Sequence, residues 1–451
     1  MLDKHLVKLL SLLLLFISGL VVVSTVAFVI RTYVPVPYFD EWGMMTNWVW
    51  WQREAGSALG TFHHQHNEHR LVIPRLFFFS DLVLFQGRGG LNQITLIGLF
   101  SIYTFVLWRI VTRATSMTGW PRLAVAGGLL VLMFSAMHLE NLLWGFQIQF
   151  LAVFLFATLA FWCLASHRGL LGGILLCAAS TFTMSNGLLA WPIGLLIGLR
   201  MQWTPRQMIL YVAAALASIL FYFHDFSLNP GHADPFVSLQ SPALLLEYVA
   251  LYLGHPLSLQ ENGLATVLGG LGLVLAIGLF IAFICDKNNR FFYSTASKAL
   301  LATSWFVLGT AVLTAAGRLN FGLEHATSGR YALPAVVFWI CLATTLGSIG
   351  PRKSVISLVL RQAAIFFIAT ALVSALYNQV DLLNKDSHRK AKLLAVASAL
   401  TSDVYDESVL RWVYPTPRRV PQMNEDLASM DLSFHSLPWA DLPGKHMSEY
   451  L

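Results

Sequence analysis

In a chain of which only 12% is charged, the stretch YFDEW at 38–42 sets two carboxylates side by side, and HHQHNEHR at 63–70 adds four histidines, a glutamate and an arginine. Neighbouring side chains diverge in a strand and in a helix. Asp40 and Glu41 therefore do not make the facing acid and base of a glycosidase, which sit several ångströms apart across a sugar. One of them, Asp40 first and Glu41 as the fallback, suits a general base that takes the proton from an attacking hydroxyl. A helix cap, or an ion pair with Arg53 or Arg70, is the plainer use of the same groups.

Read as a helix, the second stretch puts His66, His69 and Arg70 on one face, with Asn67 and Glu68 alongside. Such a face binds sugar hydroxyls, a phosphate or a metal. It lacks the HExxH arrangement, so hydrogen bonding to a substrate, or steadying Asp40, is preferred to metal binding. No cofactor is required by this reading, and a divalent cation is a secondary alternative.

Arg318 and Arg330 flank GRLNFGLEHATSGR. Their planar forks match phosphate oxygens bidentately, as a lysine would not; lipid headgroup binding without catalysis is the competing use. Further polar groups fall in HLENLLWGFQ at 138–147 (Glu140, Asn141, Trp144, Gln147), in MSNG at 184–187 (Asn186), at Tyr331 and at Arg75. Trp144, Phe146, Gln147 and Trp191 suit stacking on a sugar or an isoprenoid chain, or serve as ordinary interface aromatics. For each cluster the alternative is that loops are polar because they are wet.

The elements that must position these groups are apolar. Hydrophobic residues make up 56% of 451 and mean hydropathy is +0.64, beyond a soluble domain. The pattern predicts an all-α polytopic membrane protein of roughly eleven transmembrane helices. The runs lie at 9–30, 91–111, 123–139, 149–165, 169–184, 188–199, 207–223, 263–284, 300–316, 331–348 and 355–377. The first has a basic start but too long an apolar core for a cleaved leader, and reads as a retained anchor. Cys163, Cys177, Cys285 and Cys341 lack metal-type spacing and suggest no disulfide framework.

The formal charge of +6 is spread singly over span ends rather than gathered in a patch, which argues against a nucleic-acid partner. With the N-terminus cytoplasmic, the short inner loops collect Arg109, Arg113, Arg122, Arg168, Arg200, Arg206, Lys287, Arg290, Lys298, Arg352 and Lys353, as the positive-inside bias requires. Arg318 and Arg330 break that bias. Large outer-face loops follow at 31–90 and 224–262, with a small C-terminal outer tail at 378–451 beyond a transmembrane unit at 1–377. No inner loop holds a nucleotide-binding unit, and no glycine-rich phosphate loop is present. Within the outer loops, WVWWQRE suits an interfacial helix and LVIPRLFFFSDLVLF a re-entrant or interfacial one, with spanning as its alternative. PALLLEYVALYLG reads as a helix along the surface, a lid or a lipid-facing helix. The tail mixes a helix at 390–399 with extended, proline-rich sequence and is expected to pack on the outer loops. The chain has no N-x-Ser/Thr acceptor, which leans toward a bacterial inner membrane.

FDEW, HNEHRLVIPR, ENLLWGFQ, SNGLLAWP and GRLNFG…SGRYALP together resemble the GT-C superfamily of membrane glycosyltransferases, in particular bacterial glucosyltransferase and O-antigen-modification proteins. The resemblance runs to Ser348. It implies inverting transfer of a sugar from a polyprenyl-phosphate donor to an extracytoplasmic acceptor: a surface glycan, a lipid or a protein. The carboxylate of the first outer loop maps to Asp40, with Glu41 next. Arg318 and Arg330 would hold the departing phosphate, assisted by Arg70 and His69, with membrane lipids as surroundings. Other classes to weigh are a surface-polysaccharide polymerase or ligase, a lipid-linked sugar transporter or flippase, and a non-catalytic scaffold.

Overall fold

The computed structural model describes residues 3–54, 58–166, 168–227, 240–286, 294–349, 354–384 and 388–438. Lys287, Arg290, Arg352 and Lys353 lie outside them, as do parts of the second outer loop and of the tail.

The chain is helical almost throughout. From the N-terminus run α1 (Lys4–Thr32), α2 (Asp40–Glu54), α3 (Ala58–His63), a two-stranded hairpin of β1 (Gln65–His66) and β2 (His69–Arg70), α4 (Val72–Phe85), α5 (Gly90–Thr115), α6 (Gly119–Phe134), α7 (Leu139–Leu143), α8 (Ile148–Leu164), α9 (Leu170–Thr181), α10 (Ala190–Arg200) and α11 (Pro205–Phe223). There follow α12 (Pro242–Gly254), α13 (Asn262–Cys285), α14 (Thr295–Arg318), α15 (Ala332–Ser348), α16 (Val355–Asn384), α17 (His388–Thr401), α18 (Glu407–Leu410) and α19 (Val420–Ala428).

Among the described residues, nine helical stretches are long and apolar enough to cross a membrane, which makes this an all-α membrane protein by length and composition. The stretches built on α8, α14 and α15 form the interior of the bundle. Around them α11 and α16 turn Ile209, Leu216, Leu220, Ile356, Val359 and Phe366 outward. Such continuous apolar faces suit lipid, since water penalises apolar surface of this extent.

Two of the eleven expected runs form helices below the length of these nine stretches. The runs 169–184 and 188–199 become α9, of 12 residues, and α10, of 11, joined by the 3-10 turn Ser185–Leu189. At 1.5 Å per residue each is about 18 Å or less, short of a hydrocarbon core about 30 Å thick. The pair forms a hairpin whose closed end is tight: a side chain on Gly187 would strike the Ser180 backbone. By the same measure α4, of 14 residues, is about 21 Å long, also shorter than a hydrocarbon core.

The proposed surface lid is also corrected. From Leu245 onward α12 dives into the bundle, burying Tyr248 to Gly254 against α13 and α14. Gly254 and Gly269 permit this: a Cβ on Gly269 would lie 1.8 Å from the Ala250 carbonyl oxygen, so the two helices approach backbone to backbone.

The ends of the bundle differ chemically. One carries Lys8 over Trp120, Arg122 over Trp108, Arg113 over Trp162 and Lys298 beside Met201. The other carries Asp40, Glu41, Glu68, Glu140, His66, His69, His325, Arg318 and Arg330. Over that second end the tail packs on the segment that follows α1, through Phe39 N–H to the Val413 carbonyl (2.7 Å), Ser433 Oγ to the Pro35 carbonyl (2.7 Å) and Arg53 to Asp426 (2.7 Å). The proline-rich stretch of the tail is helical rather than extended, as a 3-10 turn (Pro417–Arg419) running into α19.

Candidate functional site

HHQHNEHR is not a helix. Asn67 takes φ 50°, a left-handed value that asparagine tolerates, and the chain reverses there so that His66 pairs with His69 across the hairpin. The expected common face of His66, His69 and Arg70 is thereby corrected, since neighbours in a strand point to opposite sides.

His69 and Glu68 enter a cleft that encloses about 660 Å³ including its mouth. Its other walls are Asn186 on the α9–α10 turn, Phe150 and Phe154 of α8, Thr310 and Arg318 of α14, Tyr252 of α12, and Arg330 and Tyr331. His69 Nδ1 accepts from Ser185 N–H at 3.3 Å, so a neutral ring carries its proton on Nε2. Burial brings the ring down to about 4, with His66 and Arg318 adding to the fall and Glu68 opposing it. It is neutral at pH 7. Its Nε2 is 3.6 Å from Glu68 Oε1, and the same oxygen lies 3.7 Å from Arg318 Nη2.

Arg330 is held from several directions. Its N–H donates to Glu140 Oε2 at 3.0 Å, its Nη2 donates to His325 Nε2 at 2.9 Å, and its guanidinium lies over the Tyr331 ring. Asn141 donates to the Gly329 and Arg330 carbonyls (3.3 and 3.2 Å). The loop closes through Gly322 at φ 99°, where a Cβ would be strained. His325 falls to about 4, chiefly by burial and then by Arg330 and Arg318. Arg318 and Arg330 keep side-chain exposures of 29% and 25%, enough for both forks to meet a ligand in the cleft.

Asp40 and Glu41 open α2 and part company, as their adjacency demands. Asp40 Oδ1 is 3.8 Å from His66 Nε2 with 41% of its side chain exposed; neither residue lines the cleft, and the Asp40 charge acts on His69 from outside it. Neither Arg53 nor Arg70 pairs with it. Glu41 turns the other way, into a separate cavity shared with Tyr38, Asp81, Asn92 and Arg389. Its Oε2 accepts from Tyr38 N–H at 2.8 Å. Burial raises it to about 7 against the pull of the Tyr38 and Phe146 N–H groups and of Arg389. Gly145 is glycine because a side chain there would press on Glu41 Oε1 at 2.6 Å.

Several expected ligands are corrected. Arg70 commits Nε to the Tyr222 carbonyl (3.1 Å), Nη1 to His63 (2.7 Å) and Nη2 to His224 (2.5 Å), pinning the hairpin rather than facing a phosphate. Arg75 likewise serves the Phe62 and His64 carbonyls. Asn141 positions the arginine loop and Glu140 is a counter-ion to Arg330. Trp144 is buried among Tyr38, Phe39 and Phe146, and Gln147 is fully buried, so neither is open to a sugar. His66 and Asn67 belong to the hairpin and do not line the cleft. Glu68, His69, Asn186, Arg318, Arg330 and Tyr331 do come together. The sequence reading passed over His325, Tyr248, Tyr252 and Thr310. His325 lies inside the arginine loop and was within reach; the other three sit in apolar runs without a signal. Among the described residues no three His, Cys, Asp or Glu side chains converge to hold a metal.

Fold and site together define a helical membrane protein with an arginine-bearing polar cleft at one end of its bundle. Set against protein-family models, curated proteins and solved structures, the chain matches none.

Proposed function

We propose that the protein transfers a sugar from a polyprenyl-phosphate donor to an acceptor hydroxyl, with inversion at the anomeric carbon, on the outer face of a bacterial inner membrane. The observation that carries this reading is that Arg318 and Arg330 line one cleft, at the end of the bundle opposite the short connections that carry Arg113, Arg122 and Lys298. The positive-inside bias, counted over short loops, makes that opposite end cytoplasmic, so the cleft faces outward at headgroup height.

The donor phosphate sits against the two guanidinium forks, and its isoprenoid chain follows the apolar wall of Phe150, Phe154 and Leu313. The acceptor hydroxyl loses its proton to Asp40 as its oxygen attacks the anomeric carbon. The bond from that carbon to the phosphate oxygen breaks, and the phosphate leaves with the electron pair. Charge growing on it is met by arginines already aimed there, which stabilises the transition state more than the ground state. Glu68 holds Arg318 toward the cleft, and Glu140 with His325 does the same for Arg330. Neutral His69 adds a donor without a charge.

The test is the mass of cell-envelope glycans in a host lacking the protein, restored with wild type, Asp40→Asn or Arg330→Ala at matched membrane abundance. A single-sugar increment with wild type alone is expected. An increment that survives both substitutions would sink the mechanism, and no increment with wild type would favour transport or scaffolding.

A further inference from the structure

A second polar cavity backs onto the same two walls as the arginine cleft. Where the cleft has Tyr252, Arg330 and Tyr331, this one has His255, Gly329 and Ala332. It encloses about 720 Å³ including its mouth. Its polar groups are His255, Ser258, Gln260, Asn262, Thr327 and Asn378, and not one lining residue is Asp, Glu, Lys or Arg.

Two features mark it as built for a ligand. His255 Nδ1 lies 2.9 Å from the Tyr252 carbonyl, which can only accept, so the ring proton is on Nδ1. That leaves Nε2 a buried acceptor without a partner among the described residues. Burial holds the ring down to about 4, hence neutral at pH 7. An orphaned acceptor of this kind is costly unless a donor arrives. The second feature is the turn that brings Gln260 into the wall: Leu259 and Gln260 take φ 52° and 71° in succession, a left-handed pair that ordinary L residues seldom adopt and that clusters at ligand sites.

The chemistry of the lining selects the occupant. An ion would enter without a counter-charge, and a hydrocarbon would strand the amides, hydroxyls and imidazole. A neutral polyol satisfies them, with the apolar faces of Met137, Pro256 and Ala332 left for its C–H groups. We infer that this cavity is a subsite for an uncharged sugar unit of the acceptor, which makes the acceptor a neutral glycan rather than a bare lipid or a protein side chain. The assignment of that sugar to the acceptor rests on the transfer reading above; the presence of a neutral-sugar site does not.

The experiment uses the full chain in nanodiscs and saturation-transfer NMR with a panel of neutral methyl glycosides: glucose, galactose, mannose, rhamnose and N-acetylglucosamine, with their common disaccharides. At least one glycoside is expected to bind wild type and to weaken about tenfold, a shift of 1.4 kcal/mol, in His255→Phe and in Asn262→Leu. Asn262 is exposed at the start of α13, so the second variant tests the site even if the first fails to fold. Arg330→Ala should leave glycoside binding unchanged. Binding indifferent to both pocket variants, or no binding by any glycoside while a polyprenyl phosphate still binds, overturns the subsite and leaves the transfer reading standing. Glycoside binding lost in the pocket variants, together with no transfer by wild type, upholds the subsite and overturns the transfer reading.

Discussion

Arg330 Nη2 lies 2.9 Å from His325 Nε2, and since a guanidinium has no acceptor, the histidine must present a bare nitrogen and carry its proton on Nδ1, toward the Tyr248 hydroxyl at 3.2 Å. The cleft therefore depends on a histidine staying neutral. In the unfolded chain that ring takes up a proton near pH 6.5, in the folded one only near 4. Stability is thus lost as pH falls from 6.5 toward 4, and His69 has the same sign. Thermal unfolding followed against pH should show this slope, and His69→Gln with His325→Gln should flatten it.

Glu41 acts in the opposite direction. Its folded value of about 7 exceeds the unfolded 4.5, so the folded state holds a proton the unfolded state has released. Stability is full below 4.5 and declines as pH rises through 7. Glu41→Gln should remove that decline, giving a melting temperature above wild type at pH 8 and close to it at pH 4.5.

If Asp40 is the base, Asp40→Asn should lower transfer by about 10²–10⁴-fold, with donor binding intact. Glu41→Gln, whose carboxylate faces the other cavity, should keep activity within a few-fold of wild type. Rates measured with purified protein and a synthetic lipid-phosphate sugar decide between them; equal loss in both would return Glu41 to the site.

The phosphate role distinguishes fork from charge. Arg318→Lys and Arg330→Lys retain the charge but lose the bidentate geometry, and each should reduce kcat by about 10²-fold or more. Glu140→Gln leaves Arg330 in place with weaker orientation, so its loss should be smaller. Steady-state rates against donor concentration separate these effects, and a lysine variant with full kcat would remove that arginine from the mechanism.

Arg70 is predicted to matter for folding. Arg70→Met would strip three carbonyls of their donor, at about 1–3 kcal/mol for each one left buried. Chemical denaturation should show reduced stability, while lipid-phosphate binding per folded molecule should remain near wild type. Weakened binding with unchanged stability would restore Arg70 as a ligand.

What the sequence alone determined is what adds up along the chain. Hydropathy summed over a window is a local property, so the membrane class and most of the long apolar helices were legible, and Arg318 and Arg330 stood out as exceptions to the pattern of basic residues. The divergence of Asp40 and Glu41 followed from backbone geometry alone. Only the tertiary structure decided which polar groups meet. Arg70 and Arg318 look alike in sequence, yet one faces three carbonyls of its own loops and α11, and the other faces a cleft. That choice rests on partners 152 residues away in the first case and on Glu68, from the β1–β2 hairpin, in the second. Likewise α12 reads as a surface helix until Gly254 and Gly269 let it pack backbone to backbone on α13. Local periodicity specifies an element; contacts between distant segments specify where its side chains end up, because those contacts arise only when the helices have packed.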